Sequence, residues 1–179
     1  MVHWLIGSLA NLPLTTNPKH HAHFPLQRTM QFAMPIHQLR IRPELHEDIS
    51  GVATILTEAF GGDAESQLVR RLRQRADALC LVAALGGVVV GHIAFPPVTA
   101  GDADAGVSAF GLAPLAVQPA YQHQGIGSAL VRAGLEILER AGANIVVVLG
   151  DPAYYSRFGF RPASLFNLTC KWSKHQNAF

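Results

Sequence analysis

Hydrophobic and polar positions first fall into a regular pattern at Gln38. Leu39 and Ile41 share one face and Arg40 and Arg42 the other, a period of two that predicts a strand over Gln38–Arg42, closed by Pro43. From His46 the period lengthens. Ile49, Val52, Leu56 and Ala59 line one side of a helix to Phe60, with Glu47 and Asp48 in its first turn and Gly61-Gly62 at its end. Asp63 opens a second helix running to about Arg75, with Leu68 and Leu72 facing inward. Leu79–Leu85 and Val88–Phe95 are apolar runs joined by Gly86-Gly87, the signature of a hairpin. Thr99–Gly106 is acidic and glycine-bearing, a loop between strands. Phe110–Val117 is a central strand, Ser128–Ala141 a helix with Leu130, Leu135 and Leu138 inward, and Asn144–Leu149 a strand apolar enough for burial on both faces. Asp151-Pro152 starts a short helix that Gly159 ends, and Leu165–Trp172 is a candidate last strand.

Residues 1–37 show no sustained period. Pro13, Pro18, Pro25 and Pro35 interrupt them, and they read as a poorly ordered extension ahead of a single domain over residues 38–179. The apolar start, Val2 to Ile6, lacks the basic residues and length of a secretory signal, since the first Lys or Arg is Lys19. His20, His21 and His23 have no Cys or carboxylate beside them, so no metal site is assigned. Helices alternating with strands define an α/β layer fold, with the strand order left open by the pattern alone.

Composition narrows the function. A formal net charge of +2 over 179 residues gives no case for a nucleic-acid or membrane-surface partner. Leu79–Phe95 carries no formal charge, but it falls short of the ~20 residues of a membrane helix and is broken by its Gly-Gly turn. The two cysteines, Cys80 and Cys170, stand far apart and fit reduced thiols of a cytoplasmic protein. Arg70, Arg71, Arg73 and Arg75 read as a solvated helix face, with steering of an acidic group as the alternative.

The chemistry concentrates in Leu112–Ser128, Leu-Ala-Pro-Leu-Ala-Val-Gln-Pro-Ala-Tyr-Gln-His-Gln-Gly-Ile-Gly-Ser. A strand ends at Gln118-Pro119, and a loop containing Gly125 and Gly127 runs into a helix. First-turn amides have no helical partner and the helix dipole favours negative charge there, so such a junction binds anions. No Asp, Glu, Lys or Arg occurs between Asp104 and Arg132. Backbone donors, aided by Gln122, His123 and the Ser128 hydroxyl, therefore carry the site. Gly125-x-Gly127 fails the dinucleotide fingerprint, and the lysine of a nucleotide-triphosphate loop is missing.

Gln122-x-x-Gly125-x-Gly127 after Leu-Ala-Val-x-Pro resembles the acetyl-coenzyme A motif of the GNAT superfamily of N-acetyltransferases, and the resemblance runs from about Gln38 to Phe179. It implies a mixed, twisted sheet, flanked by helices, whose central parallel strands, about Phe110–Val117 and Asn144–Leu149, splay apart. The pantetheine arm of acetyl-CoA would pair with Leu115, Ala116 and Val117. The diphosphate would rest on Gln122, His123, Gln124, Gly125, Ile126, Gly127 and Ser128. Tyr154-Tyr155-Ser156-Arg157-Phe158-Gly159-Phe160 is similar to the family's second motif, in which a tyrosine at the position of Tyr155 protonates the departing thiolate. The acceptor is an amine of a small molecule or protein. Its base is not assigned: Glu58 and His92 are candidates, as is a water relay. The alternative is a non-catalytic acyl-CoA-binding or sensory module, motivated by His123 and Gln124 standing where the family commonly has Arg or Lys. The family usually adds a strand after the region of Cys170. That sheet edge is therefore expected to be short, open or completed by a partner chain, as in a homodimer.

Overall fold

The computed structural model describes residues 3–8, 38–99, 107–166 and 168. Among the described residues eight strands and four α-helices follow in order: β1 His3–Ser8, β2 Leu39–Pro43, α1 Ile49–Phe60, α2 Ala64–Leu72, β3 Leu79–Leu85, β4 Val88–Phe95, β5 Ala109–Leu112, β6 Leu115–Val117, α3 Ile126–Arg140, β7 Ile145–Gly150, α4 Pro152–Tyr155 and β8 Arg161–Pro162. They form two four-stranded ladders, β2-β3-β4-β6 and β5-β7-β1-β8. The layers are those expected of an α/β sheet flanked by helices.

The hairpin β3–β4 falls where the apolar runs place it. Gly86 and Gly87 both adopt positive φ, 57° and 88°, as a two-residue turn matched to strand twist requires. One face of this ladder packs on α3 through Leu81, Ile93 and Phe95 against Leu130, Val131 and Leu135. The other face carries Val82 and Ala116 against Val52, Ile55 and Leu56 of α1 and Val69 of α2. In α2 it is Val69 and Leu72 that are buried, while Leu68, expected inward, is 41% exposed. The helix also stops at Leu72, short of Arg75. Asp63 holds the N-cap position without capping; its carboxylate accepts from Gln67 Nε2 at 2.7 Å instead.

The central strand is where the fold departs most from a uniform ladder. The apolar run Phe110–Val117 is two strands, broken at Ala113-Pro114. β5 runs parallel to β7, with Ala109 opposite Ile145 and Leu112 opposite Val148. β6 turns away and pairs antiparallel with β4, Leu115 opposite Ile93 and Val117 opposite Gly91. The chain thus crosses from one ladder to the other, and β6 and β7 diverge beyond Leu112.

His3–Ser8, assigned to an extension, pairs antiparallel along β7 from His3 opposite Gly150 to Ser8 opposite Ile145, and Leu5 and Ile6 pair with β8. The edge of β7 is therefore completed by the same chain. Residues 9–37, including His20, His21 and His23, lie outside the described residues, as do residues 100–106 of the acidic loop. Leu165 and Phe166, expected in a last strand, belong to a 3-10 turn, Ala163–Phe166; Cys170 and Trp172 lie outside the described residues. A chain beginning at Met34 would lose the six-residue pairing with β7. At a net ~0.5–1 kcal/mol per ladder bond the loss is on the order of 3 kcal/mol, or about 6–12 °C in Tm for a chain of this size. Thermal melting of the two lengths checks this; equal Tm values would remove β1 from the fold.

Candidate active site

The candidate site lies where β6 leaves β7 and the chain enters α3. Ladder bonds run from Ala94 N to the Pro114 carbonyl and from Gln118 N to the Val90 carbonyl, at 3.1 and 2.9 Å. Antiparallel pairs alternate between bonded and non-bonded. With Pro114 and Gln118 bonded to β4, Ala116 is bonded as well, and Leu115 and Val117 turn their backbone groups the other way, toward the opening beside β7. Gln122 Nε2 donates to the Val117 carbonyl at 3.0 Å. The Leu115 and Val117 N–H groups remain as donors facing the opening.

After β6 a 3-10 turn, Pro119–Tyr121, leads into the loop. His123 takes φ +60°, a left-handed conformation uncommon outside glycine, and Gly125 takes φ +84° at the N-cap of α3. No side chain caps that end, and the first turn-closing bond, Ala129 N to the Gly125 carbonyl, begins only at the fourth amide. The amides of Ile126, Gly127 and Ser128 therefore point outward unspent, which is the condition for anion binding. The Ile126 side chain is buried in the core while its N–H serves the loop. Gln122 and Gln124 spend their side chains on the carbonyls of Val117 and Ala120. They brace the loop rather than reach into the site.

Both tyrosines of the Tyr-Tyr doublet border this opening. Asp151 caps α4 by accepting from Ala153 N at 2.9 Å, which fixes their approach. Tyr155 packs its ring closely on Gly150 at the end of β7: a Cβ there would lie 2.2 Å from the ring, which favours glycine at this position. Burial pushes the Tyr155 phenol up to about 12, with Tyr154 adding to the effect. Tyr154 points the other way. Its hydroxyl would sit 2.8 Å from a Cβ on Gly127, in the first turn of α3. The doublet thus bridges β7 and the loop; the pattern of residues alone gave no role to Tyr154.

Neither base candidate is poised over the opening. Glu58 is exposed at the end of α1. His92 is fully buried and sits opposite Ala116 in the β4–β6 register. Its Nε2 lies 3.4 Å from Glu44 Oε2, and Glu44 Oε1 accepts from Arg73 Nε and Nη2 at 2.8 and 2.5 Å. Cys80 closes the group: its thiol, with the ligand atoms of Glu44 and His92, lies within a 4.8 Å span. Arg73 already supplies the cation that the carboxylate needs. Burial first, then Glu44, pushes the Cys80 thiol up to about 11, so it stays protonated.

These features match a known family. Residues 49–160 fit the model of the Acetyltransferase (GNAT) family, and the chain belongs to it. It is 43% identical over 141 residues to the uncharacterized N-acetyltransferase YhbS of Escherichia coli K12, covering 78% of this chain and 83% of that one. Among solved structures, the YhbS structure from E. coli, in complex with CoA, superposes with a TM-score of 0.70 at 38% identity, covering 86% of this chain and 79% of that one. A GNAT acetyltransferase from Brucella melitensis, in complex with acetyl-CoA, superposes with a TM-score of 0.64 at 43% identity, covering 70% of this chain and 84% of that one. The chain is thus a transferase with the GNAT fold.

Proposed function

We propose that this protein transfers an acetyl group from acetyl-CoA to a primary amine, of a small molecule or a protein, by direct attack on the thioester. One observation carries the reading: three unspent amides at the start of α3 open onto the gap between β6 and β7. The diphosphate rests on the amides of Ile126, Gly127 and Ser128, held by backbone dipoles. The pantetheine arm runs along β6, pairing with the outward backbone groups of Leu115 and Val117 as an added strand. This puts the thioester near the Val117 N–H, which stabilises the oxyanion as the amine nitrogen adds to the carbonyl carbon.

Collapse of that adduct forms the amide and breaks the carbon–sulfur bond. The thiolate takes the Tyr155 phenol proton, the nitrogen loses its surplus proton to solvent, and the phenolate takes a proton back from solvent to regenerate the phenol. The complexes of YhbS with CoA and of the Brucella enzyme with acetyl-CoA support the choice of donor. A reduced Cys80 fits a cytoplasmic setting. The direct test combines calorimetric titration with acetyl-CoA and thiol release against a panel of amines, peptides and aminoglycosides. Saturable binding with amine-dependent thiol release is expected. No binding at millimolar acetyl-CoA would overturn the donor, and binding without release for any amine would overturn the transfer.

A further inference from the structure

The loop that holds the diphosphate has no cation, yet two stand directly beside it. Arg132 is on the second turn of α3 and Arg157 follows α4; both are exposed. The Arg132 guanidinium lies 5.4 Å from the centre of the Phe158 ring, and Arg157 lies 5.2 Å from that same ring and 4.1 Å from the ring of Tyr154. The two side chains therefore converge on one aromatic cluster. Arg157 Nε donates to the Tyr154 carbonyl at 2.9 Å, which fixes its plane and leaves its terminal nitrogens outward. Among the described residues, neither arginine belongs to an ion pair, whereas Arg42, Arg73, Arg75 and Arg140 each have a carboxylate. The cluster is continuous with the anion end of α3, because the Tyr154 hydroxyl abuts Gly127.

Stacked guanidinium groups keep their donor edges free and pay little entropy to bind, a geometry suited to a phosphate. The partner that fits two uncompensated cations is a dianion. Backbone amides suffice for a diphosphate, in which each phosphorus carries one charge. A phosphomonoester carries roughly −1.5 to −2 at neutral pH and gains most from cations. Acetyl-CoA bears such a group on its ribose. We propose that Arg132 and Arg157 bind the 3′-phosphate, so that the protein selects acetyl-CoA over its 3′-dephospho form and places at this cluster the charge that its loop lacks. The inference rests on acetyl-CoA being the donor.

Calorimetric titration of the full chain with acetyl-CoA and with 3′-dephospho-acetyl-CoA tests it. The dephospho form is expected to bind about 10- to 100-fold more weakly, as loss of one or two charge-assisted hydrogen bonds implies. The double variant Arg132→Gln/Arg157→Gln should bring acetyl-CoA to the affinity of the dephospho form and leave the latter where it was. Arg132→Gln alone contacts no backbone carbonyl and should give an intermediate ratio, which guards against a folding defect from Arg157. Equal binding of the two ligands by the unaltered chain, or an equal weakening of both in the variants, overturns the assignment while the donor reading stands. If neither ligand binds, the donor reading falls and takes this one with it.

Discussion

Tyr155→Phe should lower kcat by about 100-fold or more, the usual contribution of a positioned general acid, with acetyl-CoA affinity retained. The phenol is held in one place: its ring lies on Gly150 and meets Phe160 edge-on at 5.7 Å. Removing only the oxygen leaves that packing intact, so the effect isolates the proton. Tyr154→Phe should behave differently. Its hydroxyl borders Gly127 at the anion end of α3, so its loss should raise KM for acetyl-CoA more than it lowers kcat. The pH profile gives a second check. Burial pushes Tyr155 up to about 12, so the phenol stays protonated through the neutral range and beyond. The rate should rise with pH as the acceptor amine loses its proton, with no falling limb from this tyrosine below about pH 11. Full turnover in Tyr155→Phe together with a dead Tyr154→Phe would move the acid to the neighbouring residue.

That the doublet needed a structure to resolve shows where pattern stops. Elements with strong local periodicity were legible. The hairpin β3–β4 and the helix α3 follow from apolar spacing and from glycines that must take positive φ. The glycine-rich entry to α3 was legible for the same reason, since two glycines before an amphipathic helix are a local signal. What depends on distant partners was not. β1 draws its order from β7, far along the chain, and Val2 to Ile6 carries no alternation that marks a strand. The split at Ala113-Pro114 had a local sign in Pro114, which cannot donate to a ladder, but the run stays apolar across it because both halves are covered, one by β7 and the other by β4. In α2, Leu68 and Val69 are both apolar, and only packing against α1 selects Val69. Arg132 and Arg157 stand far apart along the chain, and only the fold brings both onto Phe158. Glu44 follows β2, Arg73 follows α2 and His92 lies within β4, and no spacing links them.

Glu44→Gln should destabilise the protein by about 3 kcal/mol, the lower range for breaking a buried pair by removing one partner, or about 6–12 °C in Tm. The Glu44 side chain is 6% exposed and its partner His92 not at all. Burial pushes the carboxyl up, but the neighbouring His92 and the hydrogen-bonded Arg73 guanidinium more than offset it, and the net shift is downward. A carboxyl lowered in the folded state adds stability that is fully present above its ordinary value near 4.5 and is lost as pH falls through the folded value. Chemical denaturation at several pH values should therefore show the gap between the native chain and the variant narrowing below about pH 4.5, toward the folded value. A gap that is constant with pH would mean that Glu44 acts through packing and not charge. The loss should also reach the site, because His92 sits opposite Ala116 on β6. A looser β4–β6 pairing spoils the alignment of the Val117 amide, so the variant should lose kcat at temperatures where it is still folded. His92→Asn, which keeps a buried polar group but not the imidazole, should reproduce part of both effects, and adding it to Glu44→Gln should cost less than the two separate losses combined.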